Sequence, residues 1–188
     1  MAKLTEKAMM AAFLKLLENR SMDKITVKDI IEEVGVNRNT FYYHFEDIYD
    51  LIDSIFHEEM KSVASEVSED STFESIMERS AQILLDNRAA VRHIYESKSR
   101  DVIYKYLDKV TNMFIYILVK RKAEGTDISE EGIKFITYYY SSATISHTLK
   151  WIERGMPEYN DDLIRVMATS FDATIEPMIA NFVEQEKK

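Results

Sequence analysis

Apolar residues recur along this chain at three- and four-residue intervals, the spacing of one face of a helix. Met9, Ala12, Phe13, Leu16 and Leu17 mark a first helix, with Thr5 placed to cap it and Leu4 to staple onto Met9. After a polar break over 19–24, Thr26 and Asp29 form a capping-box pattern, and Ile25 with Ile30 repeats the staple. Val27, Ile30, Ile31 and Val34 line one face of this second helix, and Gly35 stops it. Asn37 is a favoured N-cap for a short third helix over about 38–45. Its inner positions are Phe41 and Phe45; Arg38, Asn39, Tyr42 and Tyr43 point elsewhere. Asp47 can cap a fourth helix that carries Ile48, Leu51, Ile52, Ile55 and Phe56 inward.

Further helical segments are expected over 72–86, 89–96, 100–123, 129–154 and 160–183, with a main boundary in the polar stretch near 68–71. Pro177 is expected to kink the last segment or end its regular part. Four glycines and two prolines leave little room for tight hairpins. The expected fold class is therefore all-α. It comprises a three-helix helix-turn-helix domain followed by a C-terminal helical bundle, about nine helices together.

Composition and charge narrow the chemistry. No cysteine is present, so disulfides and thiolate metal sites are excluded, and a reducing cytoplasmic setting fits. The first residues lack the hydrophobic segment of a signal peptide, and the longest apolar run, 113–119, is too short to cross a bilayer. No membrane association is expected. The net charge of −9 opposes nucleic acid at first sight, yet residues 1–50 hold seven Lys/Arg against nine Asp/Glu, so most of the acidity lies beyond them. Any DNA contact must rest on locally placed donors and on two subunits acting together.

Two short capped helices joined by a glycine-containing turn make a helix-turn-helix, whose second helix presents its N-terminal residues to the major groove. Arginine can donate bidentately to guanine, and asparagine can pair with adenine. Arg38, Asn39, Tyr42 and Tyr43 are the outward candidates; Thr40, Tyr42 and His44 can bond phosphates, and Thr26 and Lys28 can hold the flanking backbone.

The run Thr26-Val27-Lys28-Asp29-Ile30-Ile31-Glu32-Glu33-Val34-Gly35-Val36-Asn37-Arg38-Asn39-Thr40-Phe41-Tyr42-Tyr43-His44-Phe45 resembles the TetR/AcrR family signature. That signature has a threonine heading the bracing helix, Gly-Val-Ser at the turn and Thr-Leu-Tyr-x-His-Phe in the recognition helix. The wording from Asn37 to Phe45 is similar to the subgroup that includes dihydroxyacetone-kinase regulators. The resemblance covers about 5–52. It implies base or groove contacts from Arg38, Asn39, Tyr42 and Tyr43 and phosphate contacts from Thr26, Thr40, Tyr42 and His44. One departure stands out: where the family places a phosphate-holding lysine at the start of helix four, this chain has Ile48 beside Glu46 and Asp47.

Beyond residue 52 the resemblance is architectural. Aromatic residues recur at helical spacing, as in a core or a sensor pocket; His93, Tyr104, Phe114, Tyr139, His147 and Trp151 are the candidate pocket residues. A lone histidine on an apolar helix face is otherwise a hydrogen-bonded core residue. Ile133, Ile136, Tyr140, Thr144, His147 and Trp151 form a stripe on the penultimate helix, and Leu163, Val166, Met167, Ser170, Phe171, Thr174, Met178 and Ile179 are offered by the last. The resemblance implies that these two helices build a homodimer. No catalytic motif, cofactor loop or paired metal-ligand motif occurs, so neither an enzyme, a cofactor nor a metal is expected.

The expectation is a cytoplasmic TetR-family regulator. Residues 1–48 bind a palindromic double-stranded operator, and residues 49–188 sense an unknown small-molecule effector or partner protein and dimerise. Repression relieved by the effector is the expected mode. The alternative is a partner-dependent activator, or an adaptor with the same fold, and the acidic balance of residues 1–50 together with Ile48 favours the adaptor. A helical enzyme would need a titratable cluster that the sequence does not show.

Overall fold

A computed structural model describes residues 2–157 and 161–187. Nine α-helices and no strand occur among the described residues: α1 (Ala2–Leu17), α2 (Val27–Val34), α3 (Arg38–His44), α4 (Ile48–Glu66), α5 (Phe73–Asp86), α6 (Arg88–Tyr95), α7 (Asp101–Lys122), α8 (Glu130–Glu153) and α9 (Asp161–Glu186). Asn160, where the periodicity begins the last helix, lies outside the described residues. No helix among the described residues is long and apolar enough to cross a membrane.

Several helix N-termini follow the capping chemistry. Thr26 caps α2 with both halves of the capping box formed, and Asn37 and Ser129 cap α3 and α8 through their side chains. The Asp47 carboxylate accepts from the backbone N–H groups of Tyr49 and Asp50 and so opens α4. The first helix differs from expectation: α1 already runs through Thr5, and Leu4 is 75% exposed while Met9 is fully buried, so no staple forms. Ala, Lys and Leu ahead of Thr5 are all strong helix formers, and nothing there stops the helix from starting earlier. Pro177 does not end α9, which continues for nine residues past it.

The chain divides into two compact units. The first holds the chain up to Ser62 together with Asn87–Tyr106. Here α1 packs on α2 and α6, and α2 packs on α3. Met9, Phe13 and Leu17 of α1, Ile30 of α2, Phe41 of α3, Phe45 at its C-cap and Leu51 and Ile52 of α4 are buried. Each such side chain contributes about 1.5–3 kcal/mol of transfer free energy, which is what holds the seven-residue α3 helical; a helix so short is not stable alone.

The second unit holds Val63–Asp86 and the chain from Leu107 onward. In it α9 packs on α5 and α8. Phe171 sits at their junction, stacked on Phe73 at 5.0 Å and edge-on to Tyr140 at 4.8 Å. The Tyr140 and Thr174 hydroxyls meet at 2.7 Å and tie α8 to α9.

Candidate nucleic-acid interface

Four side chains stand outward on α3 because two others point in. Phe41 and Phe45, four residues apart, are the buried side; Arg38, Asn39, Tyr42 and Tyr43 are exposed, Tyr43 to 79%. The turn that aims them depends on Gly35, whose φ of +75° is left-handed. Its N–H and that of Val36 both donate to the Ile31 carbonyl, at 2.9 and 3.0 Å, which closes α2. Asn37 then restarts the helix by accepting from the Thr40 N–H at 2.9 Å.

The polar groups differ in what they have left to offer. The Arg38 Nη2 donates to the Tyr42 hydroxyl at 3.2 Å, and its guanidinium lies 5.6 Å from the centre of that ring. The Thr40 hydroxyl donates to Asn37 Oδ1 at 3.1 Å, and the Thr26 hydroxyl to Asp29 Oδ2 at 2.6 Å. Both threonine protons are thus engaged within caps, and a phosphate oxygen would have to compete for them. Lys28 lies 3.7 Å from Glu32 and is otherwise in solvent. His44 is set apart, since its side chain is only 8% exposed and its Nδ1 lies 3.9 Å from Glu6 on α1. Ile48, where the resemblance would place a lysine, is half-buried.

Asp29 carries the electrostatic weight of the α2 cap. Hydrogen bonds from the Thr26 hydroxyl and N–H hold its carboxyl below the usual carboxylate range, and the nearby Arg20 charge adds to this. Arg20 Nη1 reaches the other carboxylate oxygen at 3.2 Å.

Three contacts that the sequence did not signal brace this unit from Asn87–Tyr106. The His93 imidazole Nδ1 lies 2.5 Å from the Leu17 carbonyl at the end of α1. The Lys98 N–H donates to the Asp23 carboxylate at 3.0 Å. The Tyr49 and Ser99 hydroxyls are 2.8 Å apart. His93 is therefore occupied as a helix-to-helix brace, the ordinary fate of a histidine on an apolar face.

The six candidate pocket residues are divided between the two units. His93 and Tyr104 belong to the first unit and the other four to the second. Phe114 is core; Tyr139 and His147 are exposed, and the half-buried Trp151 donates its indole N–H to the Pro157 carbonyl at 3.1 Å. A cleft of about 580 Å³ does open in the second unit along α7 and α8, lined by Met113, Tyr116, Ile117, Glu130, Lys134 and Thr137 among others. The Tyr116 hydroxyl donates to Glu130 there at 2.9 Å.

Intrachain packing takes up part of the expected α8 stripe. Ile133, Ile136 and Thr144 are buried within the chain, while Phe135, Tyr138 and Tyr139 on the adjoining stripe are 52–68% exposed. Leu163 and Val166 of α9 are exposed as well.

Residues 10–55 match the family profile described as "Bacterial regulatory proteins, tetR family", and residues 71–173 match a "Transcriptional regulator C-terminal region". Among solved structures, that of a "Dihydroxyacetone kinase operon activator DhaS" shares the fold, with a TM-score of 0.63 at 21% identity. The match covers 95% of this chain and 97% of that one. No curated protein matches the chain.

Proposed function

This chain belongs to the TetR family of bacterial transcriptional regulators, and from that premise we propose that it binds a palindromic operator as a homodimer in the cytoplasm. It is a regulator, not an enzyme. Residues 1–48 carry the DNA contacts, with Arg38, Asn39, Tyr42 and Tyr43 at base edges and groove walls. Thr26, Lys28 and Thr40 are assigned to the phosphates, and His44, whose side chain is only 8% exposed, can reach one only by its outer edge. The observation that carries this reading is the outward quartet on α3, where an arginine, an asparagine and two tyrosines stand exposed while the helix's two phenylalanines are buried.

One seven-residue helix reads too few base pairs for tight binding, so two half-sites about one helical turn apart are required. The second copy docks on α8 and α9. Residues 135–149 contain no Asp, Glu, Lys or Arg, and Phe135, Tyr138 and Tyr139 there, with Leu163 and Val166, leave an apolar surface that a monomer has no reason to expose. Residues 49–188 sense and dimerise. An effector that binds one arrangement of the dimer better than the other shifts the spacing of the two recognition helices and releases the operator.

Repression is the first reading. Activation is the second, favoured by the fold shared with a protein named as an operon activator. Selection of bound fragments from a random duplex pool tests DNA binding. Enrichment of an inverted repeat, lost with Tyr42→Ala, supports it, and no enrichment at low salt refutes it. Transcription of the gene beside that repeat, with and without the regulator, then gives the sign.

A further inference from the structure

The Arg38–Tyr42 pair has a geometry beyond what two independent contacts would need. The two residues are four apart, so they stand one above the other on the exposed face of α3. Arg38 spends one Nη2 hydrogen on the Tyr42 oxygen at 3.2 Å, and its guanidinium lies within cation–π range of the ring, 5.6 Å from the centroid. That leaves four of the five guanidinium hydrogens for other acceptors, enough for a two-pronged approach to guanine O6 and N7.

We propose that Tyr42 is a positioning residue for Arg38: its hydroxyl and ring hold the guanidinium fork ready for a guanine, so that Tyr42 sets base preference through Arg38. This rests on the DNA-binding reading above, and it differs from a role for Tyr42 as a phosphate contact alone. A free arginine side chain samples many rotamers and must lose them on docking. An arginine already laid against Tyr42 has lost most of them, and a preorganised group binds more tightly and more selectively. The Tyr42 hydroxyl accepts from Arg38, so its own proton remains available to a phosphate; the two roles are compatible but separable by experiment.

The experiment uses the full chain and the inverted repeat obtained by selection with the wild type. Affinities are measured for operators altered one base pair at a time, with wild type, Arg38→Ala, Tyr42→Phe and the double variant. Tyr42→Phe keeps the ring and its edge contact with Phe41, and thermal melting checks that the fold is intact. In the wild type, one guanine-containing position should discriminate by about tenfold or more. Arg38→Ala is expected to abolish that preference, and Tyr42→Phe to reduce it by about threefold or more at the same position only. The double variant should then resemble Arg38→Ala, as coupled residues do. A Tyr42→Phe protein that weakens on every operator by the same factor, with base preferences intact, overturns the inference and leaves the DNA-binding reading standing. No sequence-selective binding by the wild type overturns both.

Discussion

The Tyr49 hydroxyl lies 2.8 Å from the Ser99 hydroxyl and joins the first turn of α4 to the turn that leads into α7. Tyr49 follows the recognition helix by five residues, and Ser99 is buried, with its N–H bonded to the Ser97 hydroxyl at 3.0 Å. A side-chain hydrogen bond of this kind contributes about 0.5–1.5 kcal/mol. Tyr49→Phe and Ser99→Ala are each expected to lower unfolding free energy in urea by about 1 kcal/mol, and the double variant by clearly less than the sum. Full additivity would mean that the two hydroxyls do not act on one another.

The Asp29 cap sets a pH dependence with a definite sign. Its carboxyl is held below its ordinary value of 3.8 by the Thr26 hydrogen bonds and then by Arg20. A depressed folded-state value contributes stability that is fully present above the unfolded value and lost as pH falls through the folded one. The wild type is therefore expected to be more stable than Asp29→Asn near neutral pH, with the gap narrowing below about pH 4. Urea midpoints across that range check it, and a gap that widens in acid would contradict the assignment.

Neighbouring aromatics on α3 should respond in opposite ways. Phe41 is fully buried, so Phe41→Ala should cost about 3–5 kcal/mol and melt the first unit. Tyr43 is 79% exposed, and Tyr43→Ala should change stability by less than about 0.5 kcal/mol while weakening operator binding. Thermal melting read beside DNA titration separates the two; equal melting losses would place Tyr43 in the core.

Local chemistry makes this region legible. The capping box, the left-handed Gly35 and the Asn37 cap are each written within four residues, and the structure has all three. What joins the first unit across the chain is not written locally. His93 and Leu17 are 76 residues apart, and no pattern near either names the other. The α8 stripe is hidden for a different reason: apolar and aromatic residues surround that helix, so periodicity alone does not say which side faces in. Packing within the second unit decides it, burying Ile136 and leaving Tyr138 out.

The proposed dimer interface rests on the exposed α8 and α9 residues. Tyr138→Glu and Val166→Glu place charges on surface that is already solvent-exposed in one chain, 68% and 61%, so each should fold. Sedimentation velocity is expected to show the wild type as a dimer and each variant shifted toward monomer, with operator affinity falling in parallel. Variants that remain dimeric would move the interface elsewhere.

Binding of the selected inverted repeat, titrated with and without five extra base pairs between its half-sites, tests the central claim most directly. Two recognition helices held in one dimer predict two chains per intact repeat and a loss of at least about tenfold when half a helical turn separates the half-sites. Equal affinity for both duplexes, or for an unrelated sequence of the same length, would contradict a dimeric operator-binding regulator.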